Sequence, residues 1–408
     1  MSTNTASIPA TTDTGRPSGG PAVVLVLAAI VGLAPFAGDM HLASLPAIGA
    51  EFDAPVWLTQ LTLTGYLLLL GIGQLAAGPV TDAVGRRVPL LIGLVLFALG
   101  SLLAALAPGM AVLVVARVLQ GIGGAMGVVV ANSSVRDRAS GAAATRLFAA
   151  LMTVTALAPV IAPAAGGILD SAFGWRSVFF VLAGLGLIVL VLAALVLKES
   201  LPAGKRQPLA LGSALRGYAQ LFGSRDFVLP LGGLASMFLL LFSYIGGATY
   251  VYQGQYGLDP ATFGLVFGGT GIVLLVGPVL AGKLALAVPT ARLARWGVQT
   301  AVLGTAVTML AALAGLPLWT LVAGLAVTMA GLGLCEPSFM SLCMSAGGAR
   351  SGQAAALIGG AQFIFGACGT ALAGVVAASG AAPWALLMLA FTVIALVFTL
   401  RIPASRTA

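Results

Sequence analysis

The chain has 408 residues, 60% of them hydrophobic and only 7% charged, with 19 basic against 11 acidic residues and a net charge of +8. A soluble chain carries roughly 25% charged residues, so this one cannot clothe a water-facing surface and its solvent is lipid. The positive charge is scattered over short breaks between apolar runs, which excludes a nucleic-acid-binding patch and leaves a signal of membrane topology.

Residues 1–20 are rich in Thr, Ser, Gly and Pro and read as a disordered tail. Twelve apolar runs follow, at 22–48, 57–80, 88–107, 111–135, 145–169, 177–197, 227–251, 262–286, 292–314, 318–345, 353–379 and 383–401. Each is near the ~20 residues that cross a bilayer as a helix. Their continuity, without apolar/polar alternation, predicts an all-α integral membrane protein and not a barrel. If residues 1–20 are cytoplasmic, all but two basic residues fall on the cytoplasmic side; Arg176 lies on the far side and Arg117 inside a span. Both termini are therefore expected in the cytoplasm, the last as a short tail at 403–408.

Span one contains Asp39, in the run Phe36-Ala37-Gly38-Asp39-Met40-His41-Leu42. A charge at membrane depth costs ~2.5–3.5 kcal/mol on insertion scales, and it marks a substrate or ion pathway. His41, the only histidine, sits about 200° around the helix from Asp39 and reads as a packing residue rather than a proton relay. Span two ends on Gly78-Pro79-Val80, followed by Thr81-Asp82-Ala83-Val84-Gly85-Arg86-Arg87. Glycines there allow a tight turn, and Asp82 suits the positive N-terminal end of span three. Gly277-Pro278-Val279 recurs near the end of span eight, as a parallel repeat of two six-helix halves would place it.

Arg117 opens Arg117-Val118-Leu119-Gln120-Gly121-Ile122-Gly123-Gly124-Ala125 in span four. It lies about seven residues from the outer end of its span and Asp39 about nine, or ~11 and ~14 Å at 1.5 Å per residue. The two charges are expected to interact directly or through Gln120. Span five carries Ala158-Pro159-Val160-Ile161-Ala162-Pro163-Ala164-Ala165-Gly166-Gly167, where Pro163 bends and Gly166 and Gly167 pack the helix.

The longest polar break, 199–226, divides residues 21–198 from 227–402. Within it Leu211, Leu215, Tyr218 and Phe222 share one helix face, the pattern of an interfacial helix. In span seven Phe238, Phe242 and Tyr244 are expected in an apolar pocket wall, and Tyr250, Tyr252 and Tyr256 in an interface belt or an outer gate. Span ten holds the second deep acid, Glu336, before Pro337. Cys335, Cys343 and Cys368 lie in apolar spans and read as packing residues.

Gly78 to Arg87 resembles the signature loop of the major facilitator superfamily, G-x-x-x-D-x-x-G-R-[KR], with Ala83 where a basic residue is common. Arg117 to Ala125 is similar to that superfamily's proton-linked motif, R-x-x-Q-G-x-G-x-A. The span-five run resembles the antiporter motif G-x-x-x-G-P-x-x-G-G, with Ala158 and Ala162 in place of two glycines. Asp39-Met40-His41-Leu42-Ala43-Ser44-Leu45-Pro46 resembles D-M-Y-L-P-x-L-P of the Bcr/CflA drug-resistance exporters, with His41 for Tyr and Ala43 for Pro. Val135-Arg136-Asp137 and Phe173-Gly174-Trp175-Arg176 also fit that group.

The resemblance implies the major facilitator fold, twelve helices in two pseudo-symmetric halves, in a bacterial inner membrane. It implies a monomeric secondary transporter that exports small amphipathic or aromatic compounds, phenicol-like antibiotics among them, in exchange for protons. Proton-coupled uptake, or metabolite export, on the same fold is the alternative. Asp39, Arg117 and Glu336 would then couple protons. Asp39, Gln120, Phe238, Phe242, Tyr244 and Glu336 would line the substrate cavity. Gly78, Asp82, Gly85, Arg86, Arg87, Pro163, Gly166 and Gly167 would serve conformational change. No G-x-x-x-x-G-K-[ST], H-E-x-x-H or G-x-S-x-G stretch occurs, so neither an ATP-driven pump nor a membrane enzyme is expected, and no cofactor or metal is implied.

Overall fold

Backbone groups in an apolar run find no water to bond in a bilayer, so each run closes its own hydrogen bonds as a helix. The computed structural model describes residues 20–139, 141–206 and 211–403, and every regular element among them is helical. The expected tails lie outside the described residues, apart from Gly20 and Pro403. Twelve spans long and apolar enough to cross a membrane are present, matching the twelve runs of the sequence.

Span one is not one helix. It breaks into α1 (Pro21–Asp39) and α2 (Leu45–Glu51), joined through Met40, His41 and a 3-10 turn at Leu42–Ser44. Spans two to six are α3 (Val56–Val84), α4 (Arg87–Ala105), α5 (Met110–Arg138), α6 (Gly141–Phe173) and α7 (Trp175–Val196). The central break holds α8 (Leu211–Phe222). Spans seven to twelve are α9 (Arg225–Thr249), α10 (Pro260–Leu284), α11 (Thr290–Leu313), α12 (Leu318–Gly347), α13 (Ser351–Ala377) and α14 (Ala381–Leu400), with α9 continuing as a π-helix over Tyr250–Gln255.

The spans form two halves, α1–α7 and α9–α14. One end of the bundle, its basic end, carries Arg86, Arg87, Arg136, Arg138 and α8. The opposite end is tied within the first half by Glu51. Its carboxylate accepts from Trp175 Nε1 at 2.6 Å and from Arg176 at 2.6 and 2.8 Å. Arg176 also donates to the Ala107 carbonyl and lies 4.2 Å over the Trp175 ring.

The halves meet along two helix pairs, α3 against α13 and α6 against α10. These are spans two with eleven and five with eight, the pairing a two-fold repeat of six spans produces. The α6–α10 pair depends on glycine. A Cβ on Gly264 or Gly268 of α10 would strike the Pro163 or Val160 carbonyl of α6, and one on Gly167 would strike the Pro260 carbonyl. Within the first half, a Cβ on Gly166 would strike the Met40 carbonyl at the break in span one. Along α3–α13, Thr64 and Thr370 share a hydrogen bond of 3.0 Å, and Gly71 lies against Gly360 and Ile364. The break in span one adds two bonds across the seam: Thr249 Oγ1 donates to the Leu42 carbonyl at 2.8 Å, and Gln253 Nε2 to the Ala43 carbonyl at 2.9 Å.

Gly264→Val should wedge this seam, since overpacking a tight contact costs ~1–3 kcal/mol. Thr64→Cys with Thr370→Cys should cross-link readily in the parent and less with Gly264→Val added. An unchanged cross-linking yield contradicts the seam's dependence on that close approach.

Candidate functional site

Four regions concentrate polar or aromatic chemistry inside the apolar bundle. The first is centred on Arg117, which is fully buried in α5. A buried guanidinium needs acceptors for its fork of N–H donors. Nε donates to the Thr62 carbonyl at 3.0 Å, one terminal nitrogen donates to Gln120 Oε1, and the other approaches His41 Nδ1 at 3.4 Å. Gln120 in turn donates to Ser101 Oγ at 2.7 Å. The guanidinium carbon stands 4.3 Å from the Tyr66 ring centroid and 5.7 Å from that of Phe179, so aromatic faces supply the rest of its environment. None of the described residues pairs it with a carboxylate.

The expected Asp39–Arg117 interaction is therefore replaced by another arrangement. The break in span one turns His41 toward Arg117, and the Tyr66 ring stands between Arg117 and the α1 end, packed beside Gly38. The Tyr66 hydroxyl donates to the Ala34 carbonyl at 2.7 Å, which fixes the ring. His41 also packs against Phe179, with ring centroids 5.9 Å apart. An arginine that donates to Nδ1 requires the neutral tautomer with its proton on Nε2, and Nε2 is buried without a partner.

Two acids form the second region. Asp39 is the last residue of α1 and 8% exposed; Glu336 is half-buried in α12, one residue before Pro337. Neither receives a hydrogen bond or an ion pair from any described residue. Asp39 also lies at a helix C-terminus, where unpaired carbonyls oppose a negative charge.

The third region is an aromatic cluster in α9, made of the residues expected in a cavity wall. Phe238, Phe242 and Tyr244 are buried, at 1%, 7% and 3% exposure. Phe242 fills the space over Gly366 and meets Phe363 edge-on. Tyr244 stacks on Phe267 at 4.8 Å and beside Trp384, with its hydroxyl bonded to Thr270. Tyr252 is fully buried edge-on to Phe263, so of the three tyrosines only Tyr256, which donates to the Leu316 carbonyl, is placed as an interface belt requires. Gln120 is likewise sealed in the Arg117 network. These side chains are buried and pack helix against helix in this conformation.

The fourth region is a clasp at the basic end. The signature motif is mostly helix: α3 runs to Val84, leaving Gly85 and Arg86 as the turn. Asp82 therefore lies in the last turn of α3, not at the start of α4, and pairs with Arg86 at 2.6 Å. Arg86 is buried and also holds Asp137 of α5 at 3.1 Å and Thr81 at 2.8 Å. The place expected for Asp82 is taken by Glu199, just beyond α7. Its carboxylate accepts from the backbone N–H of Arg86 at 2.9 Å and of Arg87 at 3.2 Å, the free donors at the start of α4. Gly85 is required there on two counts: its φ is +108°, and a Cβ would lie 2.7 Å from Glu199 Oε2. Gly78, by contrast, faces open space. Ser200 donates to Asp137 at 2.9 Å and Arg138 to the Lys198 carbonyl at 2.7 Å, closing the clasp.

Sequence reasoning missed Glu199, Thr62, Ser101 and Tyr66. Glu199 left one signal, an acid directly after span six, ahead of a stretch whose charges are all basic up to Asp226. It also missed Gln60 of α3, 1% exposed at the seam, wedged against Gly246 and Gly374, with both amide atoms unpartnered.

A broken first span, two six-helix halves meeting at two symmetric seams, and a charged clasp after span two define a membrane transporter fold. The family model of the Major Facilitator Superfamily matches residues 27–370, and the chain belongs to that superfamily. It is 38% identical over 359 residues to the uncharacterized MFS-type transporter YdgK of Bacillus subtilis, covering 87% of this chain and 89% of that one. It is 26% identical over 344 residues to the bicyclomycin resistance protein homolog of Haemophilus influenzae, covering 84% and 86%. The fold is similar to a partially occluded inward open conformation of the xylose transporter XylE from E. coli, at 16% identity with a TM-score of 0.74 over 95% of this chain and 98% of that one. The chain is a transporter and not an enzyme.

Removing the central cation tests the first region. Arg117→Ala leaves Gln120 Oε1 and the Thr62 carbonyl unpaired at ~1–3 kcal/mol each. It should abolish transport and lower the melting temperature, with Arg117→Lys recovering only part because it lacks the planar fork. Wild-type transport by the alanine variant refutes this role. The clasp is tested through Glu199. Burial pulls its pKa up, but the backbone N–H groups of Leu201, Arg86, Arg87 and Ser200 outweigh that and hold it below the ordinary carboxylate value. Its capping stability is thus complete above the ordinary glutamate pKa near ~4.3 and is lost as pH falls through the lower native value. Glu199→Gln should cost ~1 kcal/mol at neutral pH. Thermal unfolding at neutral and acid pH checks it: the wild-type advantage should shrink on acidification, and an advantage that stays constant contradicts it.

Proposed function

We propose that the chain exports small amphipathic or aromatic compounds from a bacterial cytoplasm in exchange for protons. The observation that carries this reading is the pair of membrane-embedded acids, Asp39 and Glu336, neither held by a partner. An unpaired acid in a span is costly to retain without a pathway to serve. The Haemophilus influenzae relative named for bicyclomycin resistance supports drug efflux. So does a Vibrio parahaemolyticus relative named multidrug resistance protein MdtL, 30% identical over 61% of this chain.

The basic end faces the cytoplasm in this reading, following the charge bias of the loops, and both termini lie there. The seams close the opposite end, so the state is an inward-facing one. The cycle then alternates this state with one in which α3–α13 and α6–α10 part and the basic end closes. Asp39, at the break in span one beside those seams, takes a proton from outside and releases it inside. Arg117 sits one aromatic ring away, where its field changes as Tyr66 and His41 move with the broken span. Glu336, nearer the basic end, meets the cytoplasmic water and serves as a second proton or cationic-substrate site. Each charge crossing 100 mV supplies ~2.3 kcal/mol. One chain contains both halves, so a monomer is a complete unit.

Substrate efflux should collapse on adding a protonophore, and accumulation of the compound by energised cells would point to uptake instead. In detergent, wild type should release protons on substrate addition, Asp39→Asn should release none while keeping its fold, and Glu336→Gln should be milder. If Asp39→Asn releases as many protons as wild type while Glu336→Gln releases none, the coupling acid is Glu336 and not Asp39.

A further inference from the structure

The segment that joins the halves carries a surface that the transport cycle leaves unused. From Ser200 to Arg225 it contains Lys205, Arg206, Arg216 and Arg225 and no acidic residue. Its helix α8 ends at Phe222 and α9 begins at Arg225, so only Gly223 and Ser224 separate α8 from a membrane span. That short connection holds the end of α8 at the level where α9 enters the bilayer.

Helix geometry, about 100° per residue, divides α8 into three sectors. Gly217 and Leu221, one turn apart, face the protein. Leu221 is 3% exposed, and Gly217 lies directly on the Gln353 side chain in the first turn of α13. Leu215 and Phe222, seven residues apart and so within about 20° of each other, form a second sector. They are 65% and 54% exposed, and no described residue covers them. Arg216 and Gln220 form the third, exposed sector, with Arg216 following Leu215 by about 100°. Apolar side chains thus stand beside a cation at the height of a span's start. Arg206 approaches Glu199 only at 4.0 Å, and no described acid pairs with Arg216 or Arg225.

We propose that α8 docks on an anionic lipid surface, with Leu215 and Phe222 in the acyl boundary and Arg216 and Arg225 among acidic headgroups. The occupant follows from continuity with the lipid-facing belt of the spans and from a stretch, Ser200 to Arg225, whose charges are all basic, between the flanking acids Glu199 and Asp226. A protein partner would leave the height of the helix unexplained; a bilayer surface accounts for it. Through Gln353 the docked helix would also set the basic end of α13, one of the four seam helices.

Spin labels at Leu215→Cys, Phe222→Cys and Gln220→Cys, each with Cys368 replaced because it is the exposed native thiol, test this in vesicles. The probe surface is phosphatidylglycerol mixed into phosphatidylcholine. Labels at 215 and 222 should collide more with oxygen than with a water-soluble nickel chelate, and the label at 220 the reverse. The oxygen preference at 215 and 222 should fall when phosphatidylglycerol is omitted. Adding Arg216→Gln with Arg225→Gln should remove that dependence. Water-like accessibility at 215 and 222 in the anionic vesicles overturns the proposal, as does spin–spin broadening between copies. A lipid dependence unchanged in the double glutamine variant overturns its charge basis. These readouts need no transport, so they stand or fall separately from the proposed exchange of drug for protons.

Discussion

A bilayer offers no water to a polar group, and the rest of the structure depends on that constraint. Backbone groups meet it by forming helices, and side chains meet it by finding one another. Arg117 shows how far this goes. A buried cation with no counter-ion among the described residues is held by a carbonyl, an amide, an imidazole and two aromatic faces. Asp39 and Glu336 are exceptions of another kind, acids in spans that no described residue pairs.

Two prolines show how a local rule becomes a global device. Proline removes a backbone donor, so within α6 Pro159 and Pro163 free carbonyls one turn back. Glycines on α10 then let the two backbones approach along the same stretch: Gly264 at the Pro163 carbonyl, Gly268 at the Val160 carbonyl. The result is a contact of small groups and few long side chains. The clasp at the basic end is built on the opposite plan. Arg86, Asp82, Asp137 and Glu199 bind α3, α4, α5 and the end of α7 into one unit with charge-assisted bonds. The clasp thereby ties these helices of the first half together at the basic end.

Much of this was legible in residue order. Apolar run length located all twelve spans, because transfer free energy is local and additive along a helix. Arg117, Asp39 and Glu336 stood out because a charge in an apolar run is anomalous wherever it points. Their partners were not legible. Equal depth suggested that Asp39 meets Arg117, but depth ignores azimuth. The five-residue break between α1 and α2 was enough to present His41 instead, with Tyr66 standing between them. The packing partners of the aromatic residues of α9 were illegible for a similar reason. Phe238, Phe242 and Tyr244 are as apolar in a cavity wall as in a helix contact, and only the glycines and rings opposite them decide.

The sequence by itself determined the solvent, the number of spans, the division into halves and the identity of the charged residues, since each follows from composition over a window of neighbours. Tertiary structure alone decided who faces whom. Glu199 caps α4 because α7 returns it to the start of a helix more than a hundred residues earlier in the chain. Asp82 serves Arg86 because α3 extends one turn further than its apolar run. Gln60 is sealed at the seam because Gly246 and Gly374 come from two other helices. Such contacts depend on the rotation and closeness of helices distant in sequence, and these are settled only when all twelve pack at once.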